Sequence, residues 1–302
     1  MSVLSPIGDG SVALISGFDD DTGGGGLFIY DGHALERLDD LPTTGIASAN
    51  GGLARVLRGR DDDPGSRFIR YEPDGTRHEE YVEGLVDPHD VAWVGDSFAV
   101  ACAGANTIVF VGEAGGVERV WKAPGSRDAW HLNSLVVVDG ELHVMAFGRF
   151  ERHREWAGDS IRTGFVMNVV TGRVVVNGLS SPHHPRLVDR EWIVCNSGTG
   201  ELLRIGADGE IAAQVLLTGW ARGLAVLDRA LLVGESRGRD EPAGAEATVA
   251  TVDRASWEVV DRFAVPVREI YDVVLAPAAL IGALTVERSA PIRRLPMLDG
   301  TV

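Results

Sequence analysis

The sequence predicts an all-β propeller built from four-stranded blades, because an apolar hairpin recurs along the chain and no useful stretch of helical periodicity competes with it. The clearest two copies are PHDVAWVGDSFAVACAGANTIVFV from Pro88 and PHHPRLVDREWIVCNSGTGELLRI from Pro182, which align without a gap. Each copy reads as an apolar strand, a tight turn and a second apolar strand. The repeat therefore indicates one architecture for the whole chain.

The other hairpins follow the same pattern. After each hairpin come two further β-rich runs, such as NTIVFVG at Asn106 and VERVWKAP at Val117, which complete four strands per blade. Residues 1–42 read as one more blade. Counting every hairpin gives seven blades, which we predict; six blades would result if residues 269–302 merged with the N-terminal segment. The remaining hairpins are TGIASANGGLARVLRG from Thr44, WHLNSLVVVDGELHVMAF from Trp130, WARGLAVLDRALLVGES from Trp220 and IYDVVLAPAALIGALT from Ile270.

Composition and charge narrow the classes of function. The 302 residues are expected to form a single propeller domain, and the net charge of −16 disfavours nucleic acid and membrane surfaces as partners. The start of the chain lacks the pattern of a secretory signal, so we expect a cytoplasmic protein. Only Cys102 and Cys195 occur, far apart, which excludes a disulfide framework and a thiolate zinc site. The run GGGG at 23–26 precedes a strand-like segment, so no nucleotide cofactor is expected.

The repeat brings distant polar residues to one axial mouth. The predicted first-strand starts are spaced by 45, 44, 50, 39 and 50 residues, close to the roughly 40–50 residues of a propeller blade. The returning strands add Asn196 and Glu235, and alternation places His131 on the same side as Asn133. These residues form a convergent polar constellation of the kind that binding sites use. The predicted start positions are Thr44, His89, Asn133, His183, Arg222 and Asp272.

Three interpretations of this ring stay open. In the first, His89, His183, His131 and Asp272 hold one divalent metal ion, Zn, Mn, Fe or Ni. In the second, His183 or His89 is a metal-free general base tuned by a carboxylate, and Arg222 binds an anionic group. In the third, the ring is polar only because the axial channel is wet.

Two loops beside the mouth are also candidates. Residues 148–162 form a long loop that carries several basic side chains, including Arg149, and we interpret it as a lid or an anion-binding rim. In the loop SSPHHPR, only His183 matches the His89 position, and His184 is expected to face the neighbouring loop.

The motifs WHLNSL, SPHHPRL, NSGTGEL and ARGLA resemble those of an uncharacterised group of bacterial propeller proteins, whose members read approximately WHLNGL, MPHSPRW, NSGTGEL and TRGLA in the same order. The resemblance spans about residues 88–240 and implies no particular activity. More distantly, the chain resembles propellers of the gluconolactonase and strictosidine-synthase type, which implies catalytic or metal-binding groups at the first-strand starts. The residues that match the motif positions of the bacterial group are His131, Asn133, His183, Arg186, Asn196 and Arg222.

The sequence thus predicts an enzyme that acts on a small, polar and anionic substrate at the axial mouth, by metal-assisted or histidine-based lyase, isomerase or hydrolase chemistry. His89, His183, Asp272 and Arg222 are the predicted catalytic residues. The alternative is a non-catalytic propeller that binds a ligand or a partner protein through its rim. The predicted substrate-binding residues are His131, Asn133, Asn196, Glu235, Arg149 and Arg186.

Overall fold

The computed structural model describes residues 7–8, 10–19, 24–59, 63–238, 241–242 and 244–286, which form 24 strands in six four-stranded antiparallel sheets. The protein is an all-β propeller, and in every blade the strands run in order from the axis outward. Blade one consists of β4 (Thr43–Ala49), β5 (Gly52–Leu57), β6 (Gly65–Tyr71) and β7 (Arg77–Glu83). Blade two consists of β8 (Pro88–Val94), β9 (Ser97–Cys102), β10 (Thr107–Gly112) and β11 (Val117–Lys122). Blade three consists of β12 (Leu132–Val138), β13 (Glu141–Ala146), β14 (Gly164–Asn168) and β15 (Val174–Leu179).

Blade six closes the ring by pairing the two ends of the chain. Blade four consists of β16 (His183–Val188), β17 (Glu191–Asn196), β18 (Glu201–Ile205) and β19 (Ile211–Leu216). Blade five consists of β20 (Trp220–Val226), β21 (Ala230–Ser236), β22 (Ala247–Asp253) and β23 (Val259–Val265). Blade six consists of β24 (Glu269–Pro277) on the inside, followed by β1 (Ser11–Asp19), β2 (Gly24–Tyr30) and β3 (Leu35–Asp39). Short 3₁₀ turns lie at Ala103–Ala105, Glu155–Ala157 and Ser197–Thr199, and α1 spans Ala278–Val286.

The prediction of seven blades was therefore wrong. The C-terminal segment contributes one strand, β24, and the edge of that strand pairs with β1, with Ser16 opposite Asp272. This pairing satisfies edges that would otherwise be exposed in both segments. The predicted second strand of the hairpin after Ile270 is instead α1, and its Leu280 and Leu284 pack against the core between blades six and one. Residues 287–302 lie outside the described part of the chain.

The core is divided among the six interfaces between neighbouring blades, and one apolar cluster fills each interface. Between blades one and two, for example, the rings of Phe68 and Phe98 meet edge to face at 5.4 Å. Because each blade buries both faces, its inner strands read as almost continuous apolar runs. In the part of the chain that the structure describes, no helix is both long enough and apolar enough to span a bilayer.

Candidate functional site at the axial mouth

A β-bulge in the innermost strands creates two layers of side chains around the axis. In four blades one residue of the innermost strand has no opposite residue in the pairing with the next strand. A bulge of this kind changes the direction of the side chains around it. The four residues are Thr44, His89, Asn133 and Tyr271. We name the residues at this position of the six innermost strands the mouth layer. The residue that follows each of them in the chain belongs to the axial ring. The mouth layer is Thr44, His89, Asn133, His183, Arg222 and Tyr271, and the axial ring is Gly45, Asp90, Ser134, His184, Gly223 and Asp272.

This register corrects two expectations. Tyr271, and not Asp272, is the blade-six counterpart of His89, so Asp272 lies one layer deeper than the sequence alignment implied. His184 does not face a neighbouring loop, because its imidazole is 1% exposed and lies 3.3 Å from Asp272.

The axial ring alternates small and large residues from blade to blade. Gly45, Ser134 and Gly223 come from the odd blades, and the three large side chains come from the even blades. A Cβ atom on Gly45 would lie 2.7 Å from the backbone of Asp90, and one on Gly223 would lie 2.9 Å from that of Asp272. The small residues therefore allow the large ones to reach the axis.

Side chains of the ring also satisfy the free inner edges of the strands. Leu135 N–H donates to Asp90 Oδ2 at 2.7 Å, and His184 N–H donates to Ser134 Oγ at 3.0 Å. Gly223 N–H donates to His184 Nδ1, also at 3.0 Å. Each of these contacts links one blade to the next, so the ring joins four neighbouring blades at the axis.

Asp90, His184 and Asp272 are, among the described residues, the one group of three or more metal-type ligands gathered within 4.8 Å. Because Gly223 N–H occupies the lone pair of His184 Nδ1, the neutral ring carries its proton on Nε2. Ligation through Nε2 would need a lone pair at that atom, so this arrangement does not fit a metal ion. The predicted metal set is not gathered either, since Asp272 lies below the mouth layer that holds His89 and His183.

A shared proton fits the three residues better. Burial raises the pKa of Asp272 to about 6. Burial, together with the charge of Asp272, also raises the pKa of Asp90 well above its ordinary value. Two buried carboxyls beside each other and beside a neutral imidazole therefore favour a state in which one carboxyl is protonated.

His183 carries the reactive nitrogen of the mouth layer. Its Nδ1 lies 2.8 Å from Ser197 Oγ, which lies 2.5 Å from the carbonyl oxygen of Ala221. The single hydroxyl proton of Ser197 goes to that carbonyl, so Ser197 accepts from His183 Nδ1–H and the lone pair of the imidazole is at Nε2. This Nε2 is buried and has no hydrogen-bond partner among the residues that the structure describes. Burial, and then Arg222, lowers the pKa of His183 well below its ordinary value, which keeps the ring neutral at pH 7.

His89 Nε2 and His184 Nε2 also lack a hydrogen-bond partner among the described residues, but they lie 3.4 and 3.3 Å from the carboxylates of Asp87 and Asp272. Three further buried polar atoms close to His183 Nε2 have no partner in the described chain either: Asn133 Oδ1, Trp220 Nε1 and Arg222 Nε. The Trp220 ring lies 6.1 Å from that of His183, and Asn133 Nδ2 donates to the carbonyl of Pro182 at 3.0 Å. The four atoms come from the neighbouring blades three, four and five. Buried polar groups are nearly always satisfied in native proteins, so this cluster is typical of a site that a ligand or water completes.

A second imidazole, that of His131, is oriented by a carboxylate. His131 Nδ1 donates to Asp128 Oδ1 at 3.0 Å, which leaves the lone pair at Nε2. The His131 ring lies 4.3 Å from Phe147, which lies 5.4 Å from His183, and 4.9 Å from His89. The three imidazoles are thus packed around one aromatic wall.

Both mouth arginines are paired with carboxylates. Arg222 Nη1 donates to Glu269 Oε2 at 3.0 Å, and its guanidinium lies 4.4 Å from the centre of the Tyr271 ring. Arg58 lies 2.6 Å from Asp87 and donates to the Tyr271 hydroxyl at 3.1 Å. The cationic charge at the mouth is therefore largely balanced before any substrate binds.

The loop 148–162 covers one side of the mouth. The Trp156 ring lies 4.2 Å from the His131 ring, and its Nε1 donates to the carbonyl of Asp128 at 3.1 Å. Arg154 N–H donates to the same carbonyl at 2.8 Å. The loop thus lies over the His131–Asp128 pair, in the position that a lid would occupy.

Besides His131, four of the predicted binding residues lie outside the mouth layer. Glu235 is fully buried inside blade five, where Thr218, Thr248 and Arg262 hold it. The amide of Asn196 bonds Ser180 N–H, Thr199 and Glu201 in loops of blade four. Arg149 stacks near Trp130 and Phe165 and lines an outer groove. Arg186 reaches the axis below the mouth, with Nη2 3.5 Å from Asp272 Oδ1.

Sequence reasoning missed several residues that the fold brings to the axis. Asp90 directly follows His89, and Trp220 stands two residues before Arg222, so both were next to predicted positions. Trp220 was interpreted only as part of the repeated framework. An αL backbone conformation is a further signal of a functional turn, but the positive φ values of His131 (53°) and His184 (45°) are visible only in the structure.

Known structures with the same fold share little sequence with this chain. A chain of a nidogen–laminin complex is 11% identical, with a TM-score of 0.66, and the match covers 88% of this chain and 98% of that chain. A luciferin-regenerating enzyme is 11% identical (TM-score 0.54, 77% of this chain and 79% of that chain), and a streptogramin B lyase is 14% identical (TM-score 0.50, 75% and 70%). At these identities the likeness concerns the fold alone.

No curated protein matches the sequence. Residues 76–282 do match a family, and this range covers more than half of the chain and includes every innermost strand except β4. The chain therefore belongs to the family described as a domain of unknown function, DUF4915.

Proposed function

We propose that this protein is an acid–base enzyme that moves a proton on a small polar molecule bound at the axial mouth, with His183 as general base. The observation that carries the proposal is the buried, neutral imidazole of His183, whose Nε2 lone pair has no partner within the described part of the chain. A neutral imidazole with a free lone pair can accept a proton at pH 7. The presence of a lyase and another enzyme among proteins of the same fold is compatible with this function by analogy only.

The neighbouring groups have distinct roles in the proposal. Ser197 is a positioning residue, because it fixes the tautomer of His183. The His131–Asp128 pair is a second acid–base group on the other side of Phe147, and Arg222 holds a negatively charged oxygen of the substrate. Proton abstraction beside a carbonyl is a step common to isomerases and lyases, and the same base would activate water in a hydrolase. No step in this scheme passes through a metal ion.

The alternative, a propeller that binds partners through its rim, has weaker support. Exposed apolar side chains on the outermost strands of the described chain are spread over several blades, with Tyr81 on β7, Val120 on β11, Leu216 on β19 and Val260 on β23. Scattered single residues of this kind are normal on protein surfaces and do not indicate an interface.

The proposed function predicts that the wild-type protein exchanges a carbon-bound hydrogen of its substrate with D₂O. In a panel of small carbonyl and hydroxy acids followed by proton NMR, we expect catalysed exchange with at least one compound. Since general-base catalysis contributes about 10²- to 10⁴-fold, His183→Gln should lower the rate by a factor in that range. The exposed His33 supplies the control, and His33→Gln should keep the wild-type rate. Equal rates for the wild type and His183→Gln would contradict the role of His183.

A further inference from the structure

Four unpartnered buried atoms of blades three, four and five define the chemistry of a complementary ligand. His89 Nε2 in blade two is set apart from them, because it lies 3.4 Å from Asp87 Oδ1. Trp220 Nε1–H and Arg222 Nε–H are donors, whereas Asn133 Oδ1 and His183 Nε2 are acceptors. Asn133 is 1% exposed, His183 1% and Arg222 8%. A ligand that complements all four must present acceptor oxygens towards blade five, a hydrogen-bond donor towards Asn133 and the proton to be removed towards His183.

The acceptor end is best supplied by a carboxylate. Arg222 uses Nη1 for Glu269, so its Nε–H remains available for a charge-assisted hydrogen bond. A phosphate would bring up to two negative charges close to Glu269, whereas a carboxylate brings one. The indole N–H of Trp220 can donate to a carboxylate oxygen as well.

The donor end is best supplied by a hydroxyl. An ammonium group would have to lie beside His183, where the positive charge of Arg222 is close enough to lower the pKa of the imidazole. A neutral hydroxyl carries no such penalty and donates well to an amide oxygen. The ring of Phe147 lies 5.2 Å from that of Trp156 and 5.4 Å from that of His183, so apolar surface faces the ligand beside the imidazole.

We infer that the axial mouth binds a small hydroxycarboxylate, with its carboxylate on Trp220 and Arg222, its hydroxyl on Asn133, and the hydrogen of its hydroxyl-bearing carbon towards His183 Nε2. This inference rests on the proposed function, because it names the substrate class of the same site. It also assigns a binding role to Trp220.

Equilibrium binding tests the inference without any assay of turnover. The probes are D- and L-lactate, propionate without the hydroxyl, propane-1,2-diol without the carboxylate, L-alanine with an ammonium group, and inorganic phosphate. A hydrogen bond to a charged group is worth enough that one lactate enantiomer should bind about tenfold or more tightly than each of the other compounds. Equal or tighter binding of any of them, or no binding of lactate at roughly 50 mM, would overturn the inference.

Two variants locate the site. Trp220→Phe removes the indole N–H together with part of the ring, a truncation that the control below shares, and Arg222→Lys removes Nε–H but keeps the charge; each should weaken lactate binding by about tenfold. Trp121→Phe, on the outer strand β11, is the matched control and should leave the affinity unchanged. Melting temperatures show whether each variant is folded. If folded Trp220→Phe and Arg222→Lys bind lactate as the wild type does, the assignment is contradicted.

The two proposals fail separately. Hydrogen exchange that depends on His183 with compounds lacking a carboxylate or hydroxyl would overturn the hydroxycarboxylate class and leave the general base intact. Binding of lactate that depends on Trp220, without hydrogen exchange of any compound, would overturn the general base and leave the hydroxycarboxylate class intact.

Discussion

Gly223→Ala should destabilise the protein by roughly 3 kcal/mol or more, through a backbone conformation and a contact that a methyl group cannot accommodate. The φ angle of Gly223 is +83°, and its added Cβ would lie 2.9 Å from the backbone of Asp272. The same contact would displace the Gly223 N–H from His184 Nδ1. Chemical denaturation followed by tryptophan fluorescence measures the free energy of unfolding.

Gly209 supplies a matched control, because it has a similar φ of +85° but no atom within 4 Å of an added Cβ. Gly209→Ala should therefore cost only about 1 kcal/mol, the ordinary penalty of a left-handed conformation. The difference between the two variants isolates the crowding at the axis. If both variants lose the same stability, the axial ring is not packed as described.

Acidification below pH 6.5 should destabilise the wild-type protein, and His183→Gln should reduce the dependence on pH. Burial lowers the pKa values of His89, His183 and His184 in the folded state. An unfolded histidine takes up a proton below about pH 6.5 while the buried ring stays neutral, so each such residue loses about 1.4 kcal/mol of stability per pH unit. This stability is fully present above pH 6.5 and is lost as the pH falls.

The titration of Asp272 changes the free energy of unfolding with pH in the opposite direction, so its effect must be distinguished from that of the histidines. Its raised pKa of about 6 gives a contribution that is present at low pH and is lost as the pH rises through 6. Both the wild type and His183→Gln contain Asp272, so the difference between their unfolding free energies from pH 6.5 to 5 reports His183 alone. His33→Gln should retain the wild-type slope. If the unfolding free energy of His183→Gln changes with pH as steeply as that of the wild type, His183 is not held neutral in the folded protein.

The blade repeat was accessible from sequence because each hairpin is local and its apolar pattern recurs. The number of blades was not, since it depends on pairing between β1 and β24, whose residues Ser16 and Asp272 are 256 positions apart. From the pattern alone, the three N-terminal strands and the C-terminal segment look like two separate blades.

Part of the mouth layer could be predicted because the blades repeat in the sequence. His89, Asn133, His183 and Arg222 occupy equivalent positions that an alignment of repeats can find. The bulges are a property of strand pairing, and they shift Asp272 into the axial ring and place Tyr271 in the mouth layer. The ring partners Asp90 and His184 depend on contacts between blades, such as Gly223 N–H to His184 Nδ1, that no local pattern encodes.

The tautomers of two adjacent histidines test the account most directly. Nitrogen-15 NMR of histidine-labelled protein at pH 7, assigned with His183→Gln and His184→Gln, distinguishes protonated from unprotonated ring nitrogens. We predict that His183 is protonated on Nδ1 only, and that His184 is protonated on Nε2 only. A His183 ring that is protonated on Nε2, or on both nitrogens, would contradict the claim that this residue is a general base ready to accept a proton.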